Sequence, residues 1–400
     1  MFLWQVLSSD QSCNAALARL QAHRAAAGLR PLSANTGGYC KARKRLPEQL
    51  LSQTCLERGE ALAARAGADQ LWHGRRVKVV DGSSSSMPDT PANQAAYPQP
   101  DSQKPGCGFP LVSYVAVFCT ATGALLALST GKWFLHDLSL FYFARGAFRA
   151  GEIMLADRGF CSYAELALMK LREVDCVLRL HQRRRSDFRR GRVLGLQDHV
   201  VRWSRPARRS RGLRQEDFDR LPAGLDVREL RYRVETQGFR TRQITLATTL
   251  LDAAEYPAED LAELYFRRWD VELDFRHIKT TMQMDVLRCK TPELVRKEIW
   301  MHLLAYNLVR WLQWQAADGQ ASHVRRLSVK GTLQHVLSFD HISRGHRSTT
   351  TNNATLLGLI GRQMVPNRPG RVEPRVKKRR PKSYPLMTRP RAELKATLTG

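Results

Sequence analysis

Two aspartates lie at the ends of predicted strands, where a side chain is accessible to a ligand. Asp81 follows the strand-like run 77–80, Asp157 follows the strand-like run 152–156, and each has a glycine within two residues. A carboxylate beside a tight turn can meet a bound molecule, because loops and strand ends stay exposed. Aspartate is also a common turn residue, and this simpler explanation fits either residue taken alone.

A third carboxylate belongs to a polar set on one predicted helix. The apolar spacing predicts an unbroken helix from 257 to 282. At about 100° per residue, four side chains share an arc of about 60° beside the apolar stripe: Tyr265, Arg268, Glu272 and Lys279. Asp270 and Asp274 fall on the opposite side, toward solvent or a neighbouring helix. The alternative is an ordinary amphipathic helix with paired border charges.

Taken together, the three carboxylates predict a cation site. Asp81 and Asp157 come from strand ends, and Glu272 comes from the border of the helix. Hard divalent cations prefer oxygen ligands, and Mg²⁺ takes one or two carboxylates. Two such ions about 3.5–4 Å apart would serve phosphoryl transfer.

The charge distribution indicates a polyanionic partner. The 400 residues carry a net charge of +27, concentrated in two stretches. Segment 183–214 has twelve arginines against two aspartates, and segment 362–391 has eleven Lys or Arg against one acid, so each contributes +10. Arginine clusters of this kind suit a phosphate backbone. The alternatives are a solubilising tail or a patch for a membrane surface.

Several other classes of protein do not fit the sequence. The apolar runs are shorter than the ~20 residues of a spanning helix, and the first residues lack the pattern of a secretory signal. The eight cysteines include no CxxC pair, so neither a zinc ribbon nor a thioredoxin-like site is expected. We therefore expect a soluble, cytoplasmic protein associated with the nucleoid.

The element order predicts an α/β protein. Alternating strand and helix signals indicate a mixed sheet with flanking helices, which is interrupted by a β-rich, arginine-rich insertion. A helical region precedes this core, and a basic tail follows it. The expected parts are 1–70 (helical), 75–181 (first part of the core), 182–255 (insertion), 256–320 (second part of the core) and 321–400 (C-terminal region with the basic tail).

Three motifs resemble the insertion-sequence-4 family of DDE transposases. They are Asp81 in VVDGSSSSMPDTPANQAAYPQ, Asp157 in MLADRGF, and the gapless signature Tyr265-x2-Arg268-x3-Glu272-x6-Lys279. The resemblance spans roughly residues 30–395. It implies an RNase H-like fold and a metal-binding triad of Asp81, Asp157 and Glu272.

The resemblance also implies an activity. The expected cofactor is Mg²⁺, as two ions for which Mn²⁺ can substitute. The expected reaction is cut-and-paste cleavage at inverted-repeat ends of double-stranded DNA, followed by strand transfer into target DNA by a homodimer on paired ends. Tyr265, Arg268 and Lys279 match positions that hold the terminal phosphates and nearby bases.

Two features depart from the family pattern. Members that use a hairpin intermediate carry a base-stacking tryptophan about 21 residues before the signature tyrosine, and here that position is near Ile244. The insertion instead has Trp203, which with Arg202 and Arg205 suits a stacking platform for DNA. A surface or hinge tryptophan is the alternative. The resemblance also implies that the helical region 1–70 binds the DNA ends, and Met1 is expected to begin partway into that region of the family.

Two rival functions stay open at this point. A structure-specific nuclease on the same core would cleave DNA without joining ends, and a decayed transposase would only bind DNA. Two further acids receive simpler explanations: Asp137, after His136, as a residue at a helix N-terminus, and Asp89 as a residue that orders its loop.

Overall fold

A mixed sheet of nine strands forms the centre of the computed structural model, which describes residues 1–210, 212–234, 243–318, 324–342, 349–366 and 384–399. The strands are β1 (Val77–Ser86), β2 (Leu111–Cys119), β3 (Leu125–Lys132), β4 (Ile153–Ala156), β5 (Asp175–Arg179), β6 (Arg192–Gly195), β7 (Asp198–Ser204), β8 (Gly224–Arg233) and β9 (Gln243–Thr248). Their order across the sheet is β3-β2-β1-β4-β5-β9-β8-β7-β6. The predicted α/β class with a mixed sheet is confirmed.

The middle of the sheet is parallel, and both sides are antiparallel. β4 pairs in parallel with β1 and with β5, whereas β2 pairs antiparallel with β1, and β9 antiparallel with β5. β1 runs on beyond Asp81, where the sequence predicted its end. The serine run continues the antiparallel ladder from Gly82 opposite Val115 to Ser86 opposite Leu111, so its backbone groups are paired in the sheet.

Segment 182–255 contributes four strands to this same sheet. β8 and β9 correspond to strand-like runs of the sequence at 226–235 and 243–251, whereas β6 and β7 were not expected within the arginine-rich stretch. β7 forms because its polar residues find buried partners: the guanidinium of Arg228 donates to both carboxylate oxygens of Asp198, at 2.8 and 2.5 Å.

Helices cover both faces of the sheet. They are α1 (Phe2–Leu7), α2 (Cys13–Ala26), α3 (Gly37–Arg45), α4 (Glu48–Ala63), α5 (Pro91–Ala96), α6 (Asp137–Ala144), α7 (Tyr163–Lys170), α8 (Gln215–Asp219), α9 (Ala258–Phe266), α10 (Asp270–Arg276), α11 (Pro292–Asp318), α12 (Val329–Ile342), α13 (Thr349–Gly361) and α14 (Arg391–Thr399). One core joins the sheet to α9, α10 and α11, and a second joins its other face to α6 and α7. Most of the basic segment 362–391, and Arg211, lie outside the described residues.

The helix predicted from 257 to 282 is present, but it is not the unbroken α-helix that was expected. A 3₁₀ turn at Arg267–Trp269 separates α9 from α10, and a π-helical turn at His277–Thr281 follows α10. The 3₁₀ turn lies where Arg267 is anchored by donating to the carbonyl oxygen of Thr120, at 3.2 Å. Such irregular turns inside helices often mark functional sites.

None of the helices in the described ranges has both the length and the hydrophobicity that crossing a bilayer requires.

Candidate active site

Strand register brings the two strand-end aspartates side by side. Val80 of β1 is the parallel partner of Ala156 of β4, and Asp81 and Asp157 directly follow these two residues. Each carboxylate is fixed by a local backbone donor: Gly82 N–H donates to Asp81 at 2.8 Å, and Gly159 N–H to Asp157 at 2.7 Å. Both aspartates therefore lie at the same edge of the parallel part of the sheet.

The environment of Asp81 is that of a crowded carboxylate. Burial raises the pKa of Asp81 to about 6, and the negative charges of Asp157 and Glu272 act in the same direction. The Gly82 N–H and the Arg268 guanidinium oppose this shift of the pKa. The charges of Asp157 and Glu272 thus act on Asp81, and a bound cation would reduce the repulsion among the three predicted carboxylates.

Arg268 joins Glu272 to this pair. Its guanidinium lies 3.2 Å from Glu272 Oε1 and 3.8 Å from Asp81 Oδ2, and its side chain is only 9% exposed. Glu272 is about half exposed. The interrupted helix therefore still directs Glu272 toward the strand ends, with a cationic side chain between the carboxylates.

The other two acids of α10 point away from this edge, as the helical wheel predicted. Asp274 is fully buried against α11, where Tyr306 and Arg310 donate to it at 2.9 and 2.7 Å, and Arg325 donates at 3.0 Å. Burial alone would raise the pKa of Asp274, but the two guanidinium charges hold it below its usual range. Asp270 pairs with Arg325 at 3.4 Å.

The remaining signature residues lie on the carboxylate side. Tyr265 is buried, and burial raises its pKa; the nearby charge of Arg268 opposes the shift, and that of Asp157 adds to it. Lys279 donates to the Ser83 hydroxyl at 3.1 Å, and burial lowers its pKa. Ser83 is two residues after Asp81 on β1, so both side chains share one face of the strand.

Asp137 is a fourth carboxylate at this edge. A Cβ atom on Gly82 would lie only 2.8–2.9 Å from the three carboxyl-group atoms of Asp137, so the group packs directly on the β1 backbone. Burial raises the pKa of Asp137, His136 opposes this, and the charge of Asp157 adds to it. His136, rather than Asp137, caps α6 by accepting from Leu138 N–H at 3.2 Å. The helix start was the only local signal at Asp137, so the interpretation of Asp137 as a helix-start residue missed this contact.

The simpler role proposed for Asp89 agrees with its contact. Its carboxylate accepts from the Gln94 side chain at 2.8 Å, and so ties the loop to α5.

The donor set fits a divalent cation in chemistry. Asp81, Asp157 and Glu272 offer the oxygen ligands that Mg²⁺ prefers. In the described part of the chain, however, no three His, Cys, Asp or Glu side chains are already gathered closely enough to hold an ion. Arg268 supplies the positive charge between two of the carboxylates in this arrangement, so a metal would have to displace it.

The predicted stacking platform at Trp203 is wrong. The side chain is buried, with 4% of the residue exposed, and its indole N–H donates to Glu229 at 2.8 Å. The Arg184 guanidinium covers the ring at 3.6 Å. Its two neighbours have other partners: Arg202 pairs with Asp226 at 3.0 Å, and Arg205 donates to the carbonyl oxygen of Leu221 at 3.2 Å.

Comparison with known proteins identifies the family. Residues 72–308, more than half of the chain, match the transposase DDE domain. The chain belongs to the DDE transposases. This DDE transposase is 28% identical over 333 residues to the transposase InsG for insertion sequence element IS4 of Escherichia coli strain K12, which covers 79% of this chain and 72% of that protein.

Two further proteins show similarity to the chain. The putative transposase InsL for insertion sequence element IS186A of the same strain is 27% identical over 283 residues, covering 62% of this chain and 69% of that protein. The piggyBac transposase in a synaptic complex with hairpin DNA matches with a TM-score of 0.39 and 8% identity over 73% of this chain and 58% of that one. The predicted insertion-sequence-4 family and the DNA-cleaving, strand-transferring class of enzyme are confirmed.

Proposed function

We propose that this transposase works by cut-and-paste: it cleaves double-stranded DNA at inverted-repeat ends and transfers the freed strands into target DNA. The observation that carries the proposal is the convergence of Asp81, Asp157 and Glu272. Strand register sets the two aspartates side by side, and Arg268 reaches from Glu272 to Asp81. Three carboxylates from separate parts of the chain therefore meet at one edge of the sheet.

We further propose that the core is RNase H-like. The supporting feature is the first half of the sheet, in which β3, β2 and β1 form an antiparallel meander and β4 and β5 follow in parallel. In such open sheets ligands bind outside the carboxyl ends of the parallel strands. Asp81 and Asp157 follow the paired residues of β1 and β4 at that edge.

Asp81, Asp157 and Glu272 would hold two Mg²⁺ ions, with Mn²⁺ as a substitute. When bound, the ions supply a nucleophile and stabilise the leaving oxygen of the scissile phosphodiester. The chain contributes the positioning of the DNA. Arg268 presents a fork that matches two phosphate oxygens, Lys279 adds a compact charge, and Tyr265 supports the same edge.

An assay with labelled inverted-repeat ends, Mg²⁺ and a target plasmid separates this function from its rivals. Joined products are expected. Cleavage without joining would favour the structure-specific nuclease, and binding alone would favour the decayed DNA-binding protein. All three acids of the proposed triad, Asp81, Asp157 and Glu272, are present in the sequence, which argues against decay.

The working assembly is proposed to be a homodimer on paired ends, at the nucleoid where its substrate lies. Light scattering of the protein with one labelled end duplex tests this. A complex of two chains and two duplexes supports it, and a complex of one chain on one duplex contradicts it.

A further inference from the structure

A strongly basic cavity lies beside the carboxylate edge. Its volume is about 410 Å³, and its lining contains no acidic residue among the described residues. Five arginines line it: Arg158, Arg179, Arg184, Arg185 and Arg231. The other lining residues are polar or aliphatic, so positive charge dominates the cavity.

Strand register fixes the position of this cavity relative to the site. Ala156 of β4 is the parallel partner of Leu178 of β5, so Asp157 and Arg179, the next residue on each strand, are also neighbours. Arg158 directly follows Asp157. One wall of the cavity is therefore continuous with the edge that bears the carboxylates.

The opposite wall is built from the β-rich insertion. Arg231 of β8 is held by donating to the Thr245 hydroxyl of β9 at 3.0 Å. Arg184 lies flat on the buried indole of Trp203, at 3.6 Å. Trp203 thus positions a guanidinium at this cavity, in place of the base-stacking role that the sequence predicted.

The cavity arginines differ from other arginines of segment 183–214. Arg189 and Arg190 both pair with Asp187, at 2.8 and 3.3 Å, and Arg202 pairs with Asp226. No carboxylate of the described residues forms an ion pair with any of the five guanidinium groups that line the cavity. Like charges that lack an ion-paired carboxylate repel one another, and a polyanion would relieve that repulsion.

We propose that this cavity binds the phosphate backbone of the DNA strand that leads away from the carboxylate site. The proposal rests on the proposed function, and it assigns that strand a path between β4, β5 and the insertion. Guanidinium groups are always charged and match phosphate oxygens in pairs. A cavity of this volume has room for about one nucleotide unit of backbone, by comparison with the ~300 Å³ lower range of small-ligand sites.

The test compares two double variants from the same region. Arg158→Gln with Arg185→Gln removes two exposed cavity arginines whose guanidinium groups pair with no carboxylate in the described ranges. Arg189→Gln with Arg190→Gln removes two exposed arginines that pair with Asp187. DNA affinity is measured from 50 to 200 mM salt. The cavity variant is expected to reduce the slope of log affinity against log salt by about 1–2, since each lost phosphate contact contributes about 0.9. The control is expected to change the slope by less than about 0.5.

Phosphate-ethylation interference on an inverted-repeat end supplies a second readout. Wild-type protein is expected to show a short block of sensitive phosphates that disappears in the cavity variant and persists in the control. Equal slopes in the two variants, or an unchanged interference block, would overturn the cavity assignment. Neither readout needs cleavage. A wild-type protein that binds DNA but does not cut it would therefore contradict the proposed function, while the two readouts would still test the cavity assignment.

Discussion

Arg268 holds together two carboxylates that would otherwise repel each other. Its guanidinium contacts Glu272 at 3.2 Å and Asp81 at 3.8 Å in a nearly buried position. A divalent cation at the same carboxylates would meet repulsion from this group. We therefore expect the Arg268 guanidinium to oppose metal binding in the free protein.

Removing this charge should strengthen metal binding. We expect Arg268→Ala to bind Mn²⁺ about tenfold more tightly than wild type without DNA at pH 8, a change of about 1.4 kcal/mol. Arg268→Lys keeps the charge and should change the affinity less. Electron paramagnetic resonance of free Mn²⁺ measures both. Unchanged or weaker binding in Arg268→Ala would show that the guanidinium does not compete with the ion.

The ionised carboxylate of Asp81 should lower the stability of the metal-free protein at neutral pH. Its pKa of about 6 in the folded protein lies above its ordinary value of 3.8, so folding favours the protonated form. The stabilisation that protonated Asp81 provides is fully present below about pH 4 and is lost as the pH rises through 6.

We therefore expect Asp81→Asn to raise the free energy of unfolding by about 1–3 kcal/mol at pH 7.5, since each unit of pKa shift corresponds to about 1.4 kcal/mol. Near pH 4 this gain should vanish, because wild-type Asp81 is then protonated too. Urea denaturation with a chelator at both pH values measures the difference. A gain of equal size at both pH values, or a loss at pH 7.5, would contradict the burial argument.

At the scale of elements, α10 is oriented by a buried ionic cluster. Asp274 receives hydrogen bonds from Tyr306 and Arg310 of α11, and from Arg325. These contacts hold the face of α10 opposite Glu272, so they fix the direction in which Glu272 points.

Breaking this cluster should be costly. Asp274→Ala leaves the buried Arg310 guanidinium without its carboxylate and leaves Arg325 with Asp270 alone, and we expect a loss of about 3–5 kcal/mol in unfolding free energy. Asp270→Ala, which removes a partly exposed partner of Arg325, should cost less than about 1 kcal/mol. Denaturant titration of the two variants provides the comparison. Equal losses would mean that Asp274 does not organise α10.

Gly82 is required because Asp137 packs on it. A side chain at Gly82 would place its Cβ 2.8–2.9 Å from the Asp137 carboxyl group. We expect Gly82→Ala to destabilise the protein by about 1–3 kcal/mol, whereas Gly146→Ala, where the added Cβ meets no atom within 4 Å, should be nearly neutral. Adding Asp137→Ala to Gly82→Ala should recover part of the loss, which thermal denaturation of a double-mutant cycle tests. Strictly additive losses would exclude the proposed clash.

The sequence was sufficient for elements whose signals are local. The apolar runs before Asp81 and Asp157 predicted β1 and β4, and helical periodicity placed Glu272 opposite Asp274 even though the helix is broken. The 3₁₀ and π turns were missed because they depend on tertiary contacts, such as that of Arg267 with Thr120. β7 was missed because its buried Asp198 and Trp203 depend on partners about thirty positions away, on β8.

At the scale of the whole molecule, the insertion and the core share one sheet. β9 pairs with β5, the strand that ends at Arg179, so the basic cavity and the carboxylate edge are joined through continuous backbone pairing. The charge excess of segment 183–214 is therefore divided. Some arginines line the cavity, while others pair with acids, as Arg189 does, or cover aromatic rings, as Arg214 covers Tyr142. Local structure, rather than composition, determines which of these positive charges can reach DNA.

The most direct test of the central claim compares two acids of one helix. Glu272→Gln and Asp270→Asn each remove one charge from α10, and cleavage of a labelled inverted-repeat end in Mg²⁺ is measured beside DNA affinity. We expect Glu272→Gln to lose cleavage by at least about a thousandfold, of the order that loss of a key electrostatic group costs, while its DNA affinity stays within about threefold of wild type. Asp270→Asn should cleave nearly as wild type does. Retained Mg²⁺-dependent cleavage in Glu272→Gln, or its loss in Asp270→Asn with an intact fold, would contradict the assignment of the carboxylate triad.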